Sequence, residues 1–70
     1  MSLSMMMIGE VKTIMEFKGK DNMKRRLQEL GFIKGEKVQV VGENKSGLVL
    51  IIKGAKVALN RGLASMIIVK

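Results

Sequence analysis

The sequence contains no cysteine and no histidine. The chain can therefore form no disulfide, and it offers neither the thiolate nor the imidazole ligands of ordinary zinc sites. Aromatic residues are almost absent as well, since Phe17 and Phe32 are the only two. The chain thus lacks the stacking platform on which many proteins bind single-stranded nucleic acid. Its stability must come from packing alone.

Long apolar runs are also missing. No segment has close to the roughly 18 consecutive apolar residues that a membrane span needs. The apolar run Met5 to Ile8 is too short for the core of a signal peptide. We therefore expect a cytoplasmic protein, and 70 residues allow one domain with a thin core. Because Met5, Met6 and Met7 offer further starts, residues 1–6 are predicted to be a disordered leader and residues 7–70 the single domain.

The charge is strongly one-sided, with thirteen lysines and arginines against six acidic residues and a formal net charge of +7. Such a molecule is attracted to polyanions and acidic surfaces. The charge alone does not choose among nucleic acid, an anionic membrane face and an acidic protein domain. All three partner classes stay open at this point.

Catalytic and metal-binding patterns cannot be assembled from this sequence. The acidic residues stand beside lysine or arginine in turns and on helix faces, and no histidine could serve as base for a serine. The glycines match no phosphate-binding loop. The glutamates are scattered, with no histidine or cysteine to complete a transition-metal set. We predict no enzyme activity, no cofactor and no metal site.

The stretch from Lys24 to Val40 predicts a helix that stops on a glycine and leads into a strand. Met23, Leu27 and Leu30 follow helical spacing and are expected to dock on the sheet. Asp21 is the predicted N-cap, and Gly31 the left-handed residue that ends the helix and brings Phe32 onto Leu27. Gly35 suits the third position of a type II turn.

The helix also carries two arginines, which lie at different angles to its apolar stripe. Arg25 lies opposite the apolar stripe and can pair with Glu29 at i+4, whereas Arg26 flanks the stripe and can lay its stem along the core edge. For both, a structural role is favoured.

Five short strands are predicted around this helix. In the first, Val11, Thr13, Met15 and Phe17 share one face, and Ile14 does not fit the alternation. Val38 and Val40 face inward in the second, and the polar segment Glu43 to Gly47 after it is predicted to be a loop. The apolar run Leu48 to Ile52 is predicted as the central strand, followed by a type II′ hairpin at Gly54-Ala55. The remaining segments are a strand with Val57 and Leu59 inward, a helical turn within Asn60 to Ser65, and a last strand at Met66 to Val69.

Two separated motifs resemble the ferrous iron transport protein A (FeoA) family. The first is RRLQELGF with the following glycine and valines, and the second lies near the C-terminus at family-like spacing. Lys34 departs from the pattern, because the family usually has proline there. The predicted fold-signature residues are Leu27, Leu30, Gly31, Gly35, Val38, Ala58, Leu59, Ala64 and Ile67, with Arg61 and Val69 also matching the second motif.

The resemblance implies a mainly β fold, a small SH3-like antiparallel barrel of about five strands with one inserted helix. It also implies an accessory role in ferrous iron uptake, with the cytoplasmic GTPase region of the transporter FeoB as partner. Lys24, Arg25 and Arg61 are the predicted partner-binding residues. Two alternatives remain: a basic nucleic-acid-binding module, and a self-associating regulatory domain like that of metal-dependent repressors.

Overall fold

The computed structural model describes all 70 residues, and it contains five strands, two helices and a short N-terminal 3₁₀ turn. The predicted class, a mainly β barrel-like fold with one inserted short helix, is confirmed. None of the helices is long and apolar enough to cross a membrane. The elements are the 3₁₀ turn Leu3–Met5, β1 Val11–Phe17, α1 Asp21–Glu29, β2 Lys37–Asn44, β3 Gly47–Ile52, β4 Ala55–Asn60, α2 Arg61–Ala64 and β5 Ile67–Val69.

The strands form one antiparallel sheet in the order β4-β3-β2-β1-β5. The sheet curls because β1 divides its length between two neighbours, pairing at Val11 to Thr13 with β2 and from Ile14 onward with β5. Irregularities in β1 and β2 increase the bend, as bulges do in small barrels. Hydrogen bonds do not close the barrel between β4 and β5. The central strand is therefore β2, and the prediction that Leu48 to Ile52 would be central is wrong.

Helix α1 ends as the sequence predicts. Gly31 has φ of +104°, and its N–H donates to the carbonyl of Gln28. The N–H of Phe32 donates to the carbonyl of Leu27, which completes a Schellman motif, and both side chains are fully buried. The motif turns the chain back across the helix and places Phe32 in the core.

The start and the apolar face of α1 differ from the prediction. Lys20 is the N-cap and makes no side-chain cap bond, while Asp21 is the first helical residue. Of the predicted stripe, Leu27 is buried and Met23 half-buried, but Leu30 is 43% exposed. Leu30 is the C-cap, so the chain leaves the helix there and the side chain is not pressed onto the sheet.

The turn after α1 explains why Ile14 broke the predicted alternation. Gly35 has φ of +92°, and Glu36 N–H donates to Ile33 O, as a type II turn at Lys34-Gly35 requires. This turn bonds to β1, because Gly35 N–H donates to Ile14 O and Ile14 N–H donates to Glu36 O. Ile14 is fully buried, whereas Val11 and Met15 are exposed. The four residues predicted to share one face of β1 therefore do not share one environment, because Phe17 packs against the core while Val11 and Met15 are exposed.

Both hairpins differ in detail from the prediction. β2 continues to Asn44, so the polar segment expected to be a loop is mostly strand. The next turn is one residue earlier than predicted: Ile52 pairs with Ala55, and Lys53 and Gly54 have φ of +51° and +76°. Two positive φ values indicate a type I′ turn in place of type II′.

The first residues belong to the fold, contrary to the expectation of a disordered leader. Leu3 is fully buried and Met6 nearly so, and both belong to the same core cluster as Phe32. Met1 exchanges backbone hydrogen bonds with Val69, at 2.8 and 3.2 Å. This segment covers the outer edge of β5. The packing of this segment is not visible in the sequence, because short apolar segments show no periodicity by which to recognise it.

Candidate interaction surface

The charged surface of the molecule is dominated by unpaired cations. Only three of the thirteen lysine and arginine side chains form ion pairs: Lys12 with Glu10, Lys53 with Glu36, and Arg61 with Glu43. The Arg25–Glu29 pair considered for α1 is not among them. No group of three or more acidic residues lies close enough together to hold a metal ion. The surface is thus arranged to attract anions over a broad area.

Lys24, one of the three predicted contact residues, lies beside a groove between β1 and α1. This β1–α1 groove has a volume of about 310 Å³. Its apolar part is Met15 and Phe17, its cations are Lys24 and Lys34, and Glu16 adds one carboxylate to the lining. Neither lysine has an ion-pair partner, so both ammonium groups can reach a ligand that lies on the apolar floor.

Arg25 and Arg61 lie elsewhere. Arg25 is exposed on α1 and lines neither this groove nor the one between the helices. Arg61 begins α2, and its Nη2 donates to Glu43 Oε2 at 2.8 Å, which ties α2 to the end of β2. Both partners of this pair are about half exposed, so its contribution to stability is small. The structure does not bring the three predicted residues into one groove.

A second groove, with a volume of about 410 Å³, lies between the two helices. Its floor is made by the half-buried Met23 and Leu63, and its rim by Asn22, Arg26 and Asn60. The Oδ1 atoms of both asparagines already accept backbone N–H bonds, from Met23 and Leu63 respectively. The rim therefore offers mainly donors: the guanidinium of Arg26 and the amide groups of the two asparagines.

Sequence reasoning missed this α1–α2 groove. The sequence predicts a structural role for Arg26 and only the start of a helical turn at Asn60. Asn60 is in fact the N-cap of α2, a role that asparagine before RGLA could have indicated. The proximity of α1 and α2, by contrast, comes from tertiary packing and has no local signal. The groove can take an apolar group that carries a carboxylate or another acceptor.

The fold and these grooves define a class of protein: a small, SH3-like β domain with a basic surface. The chain belongs to the FeoA domain family, whose model matches residues 1–70. This family is associated with ferrous iron transport. No curated protein sequence matches the chain significantly.

Solved structures agree with this assignment. A FeoA crystal structure described as an iron uptake regulatory protein is 25% identical with a TM-score of 0.92, over 99% of this chain and 92% of that one. FeoA of Stenotrophomonas maltophilia, complexed with zinc and described as an SH3 domain protein, is 29% identical with a TM-score of 0.84, over 100% and 89% of the two chains.

A third structure comes from a different kind of protein. A manganese-dependent transcriptional repressor aligns with a TM-score of 0.86 at 18% identity, over 96% of this chain but 39% of its own. At this identity the likeness concerns the fold alone.

Proposed function

We propose that this protein is a non-enzymatic, cytoplasmic accessory protein of ferrous iron uptake that binds the cytoplasmic GTPase region of the transporter FeoB. Its membership of the FeoA family over residues 1–70 is the observation that carries the proposal. The unpaired cations and the donor-lined α1–α2 groove support it, because they suit an acidic protein surface with apolar side chains.

The contact surface in this proposal is centred on α1. Lys24 and Arg25 are exposed there without ion-pair partners, and Lys24 also lines the β1–α1 groove. Arg61 lies at the edge of this contact surface. To bind the partner, its guanidinium must either leave Glu43 or bind a partner group while it stays paired with Glu43. Rim charges of this kind act mostly on association rate and on salt dependence.

Titration of the labelled protein with the GTPase region from the same organism, followed by amide NMR at about 0.15 M salt, tests the proposal. Shifts confined to one patch are expected. The double variant Lys24→Glu/Arg25→Glu should weaken binding by roughly tenfold, about 1.4 kcal/mol. The control Lys37→Glu/Lys70→Glu makes the same change in net charge away from α1 and should have a smaller effect.

Two results would count against the proposal. An absence of shifts at high concentration of the GTPase region would remove FeoB as direct partner. Equal losses of affinity in the two double variants would mean that the attraction is a property of net charge and that α1 is not the contact.

Nucleic-acid binding is the second candidate function, favoured by the many unpaired cations. It predicts that the affinity for a DNA duplex falls steeply as salt rises, since each neutralised phosphate releases a counterion. Fluorescence anisotropy with duplexes of different sequence at two salt concentrations measures this. Weak binding with no preference among DNA sequences would mean that the protein attracts DNA only by its net charge, which would count against nucleic-acid binding as its function.

A further inference from the structure

The two outer edges of the sheet differ in whether another backbone segment covers them. The outer edge of β5 is occupied, since the N–H of Val69 donates to Met1 O and Ser2 bridges to Ile68. The outer edge of β4 has no neighbouring strand. No loop or turn bonds to the backbone of its middle residues, Lys56 and Ala58. β4 is therefore the open edge of this barrel.

The hairpin register shows which backbone groups face outward. Ile52 and Ala55 close a two-residue turn and so form a hydrogen-bonded pair. Hydrogen-bonded and non-hydrogen-bonded pairs alternate along an antiparallel ladder. Val57, opposite Leu50, therefore bonds to β3, whereas the N–H and C=O groups of Lys56 and Ala58 point away from the sheet. Both residues are exposed, so these four groups are open to a partner strand.

The side chains along this edge specify the chemistry of that strand. Lys56 and Ala58 share the outer face, and Lys56 has no ion-pair partner. Beside Ala58 lies a small cavity of about 150 Å³, whose lining includes Asn44, Ser46 and Asn60. Lys45 stands between two of these residues at the hairpin tip, also without an ion pair. A cation is thus followed, two residues along the strand, by a niche for a small side chain.

We propose that β4 binds an acidic, extended segment of a partner protein by strand addition. The segment places a carboxylate opposite Lys56 and a small apolar side chain two residues away, over Ala58 and its cavity. Backbone bonds to the four outward groups supply affinity, and the side-chain pattern supplies specificity. An edge lysine opposes pairing between two copies that each carry +7, while it favours an acidic strand.

This inference rests on the proposed function, the binding of this accessory protein to the GTPase region of FeoB, which is called its adaptor function below. In that case the acidic segment belongs to the GTPase region. The strand can lead toward the α1–α2 groove, because Asn60 ends β4 and lines both that groove and the small cavity. A partner would then contact the edge and the groove together.

The first test uses a capped hexapeptide of sequence TETVTE, which carries the proposed pattern, and a TKTVTK control, at about 0.15 M salt. We expect TETVTE to shift the amide signals of Lys56 and Ala58 and to slow their hydrogen exchange, with no such effect from TKTVTK. Lys56→Glu should weaken binding at least about threefold. Lys70→Glu, an equal charge change beyond β5, should not.

Ala58→Pro removes one outward N–H without removing a bond to β3 and should also reduce binding. If this variant fails to fold, Lys56→Glu still decides the matter. Equal binding of the two peptides, no slowed exchange at Lys56 and Ala58, or dimerisation through β4 on sedimentation would each overturn the proposal.

The GTPase region provides the second test and separates the two proposals. Binding that protects the Lys56 and Ala58 amides supports both. Binding that leaves them unprotected overturns strand addition as the mode of partner recognition and leaves the adaptor function standing. If the peptide binds at β4 and the GTPase region does not bind at all, the adaptor function fails and the edge site survives.

Discussion

At the scale of single residues, Gly47 is fixed by a close approach of the neighbouring backbone. Gly47 opens β3, where the Asn44 side chain accepts its N–H at 2.9 Å. A Cβ on Gly47 would overlap the carbonyl oxygen of Leu59 and lie 2.7 Å from the Cα of Asn60. Both obstacles are backbone atoms of β4, which cannot rotate away. The tight packing of β3 on β4 depends on the missing side chain.

Gly47→Ala should therefore destabilise the protein by about 1–3 kcal/mol, because β4 must shift to admit the methyl group. Urea unfolding followed by circular dichroism measures the change. Gly42→Ala is the matched control in the neighbouring strand, since its Cβ would meet the nearest atom, Val49 Cβ, at an ordinary 3.8 Å. A Gly47→Ala protein as stable as the control would contradict the steric argument.

At the scale of elements, α2 has too few residues to form alone. It is four residues long and is held at its start by Asn60, whose Oδ1 accepts the N–H of Leu63 at 2.8 Å. At its end, the hydroxyl of Ser65 donates to the carbonyl of Gly62. Between these two bonds Ala64 is fully buried in the core. The cap therefore positions both a core residue and the rim of the α1–α2 groove.

Asn60→Ala is expected to cost about 1 kcal/mol of stability, since it removes the acceptor for an otherwise unsatisfied helix N–H. Asn60→Asp keeps the acceptor and should retain most of the stability. Thermal unfolding of the two variants against the parent protein distinguishes them. Similar losses in both would show that the side-chain oxygen is not what holds α2.

At the scale of the whole molecule, the N-terminal segment completes both the core and the sheet. Leu3 is fully buried against a core that consists of only 14 residues. The adjacent Met1 and Ser2 cover the edge of β5. In a chain of this size, each buried leucine is a substantial part of the total hydrophobic stabilisation. The first residues are therefore structural.

Leu3→Ala should destabilise the fold by about 2–5 kcal/mol through lost burial and the cavity that remains. Met5→Ala is the control from the same segment, because Met5 is 68% exposed and should tolerate the change. Chemical denaturation measures both. If Leu3→Ala were as mild as Met5→Ala, the segment would not be part of the cooperative unit.

The sequence by itself determined the features that depend on neighbouring residues. The helix stop at Gly31, the contact of Phe32 with Leu27 and the turn at Gly35 all follow from local backbone geometry. The inward valines of β2 follow from strand alternation. The mainly β class follows from the spacing of the short strands, and the family resemblance from two motifs.

Only the tertiary structure decided the features that depend on distant contacts. Ile14 faces the core because the turn at Gly35 bonds to it, and Leu3 is buried because the backbone bonds of Met1 to β5 place it against the core cluster. The α1–α2 groove and the open edge of β4 arise where elements far apart in sequence meet or fail to meet. Local propensity carries no information about such contacts, because their free energy is gained only when the whole sheet curls around its core.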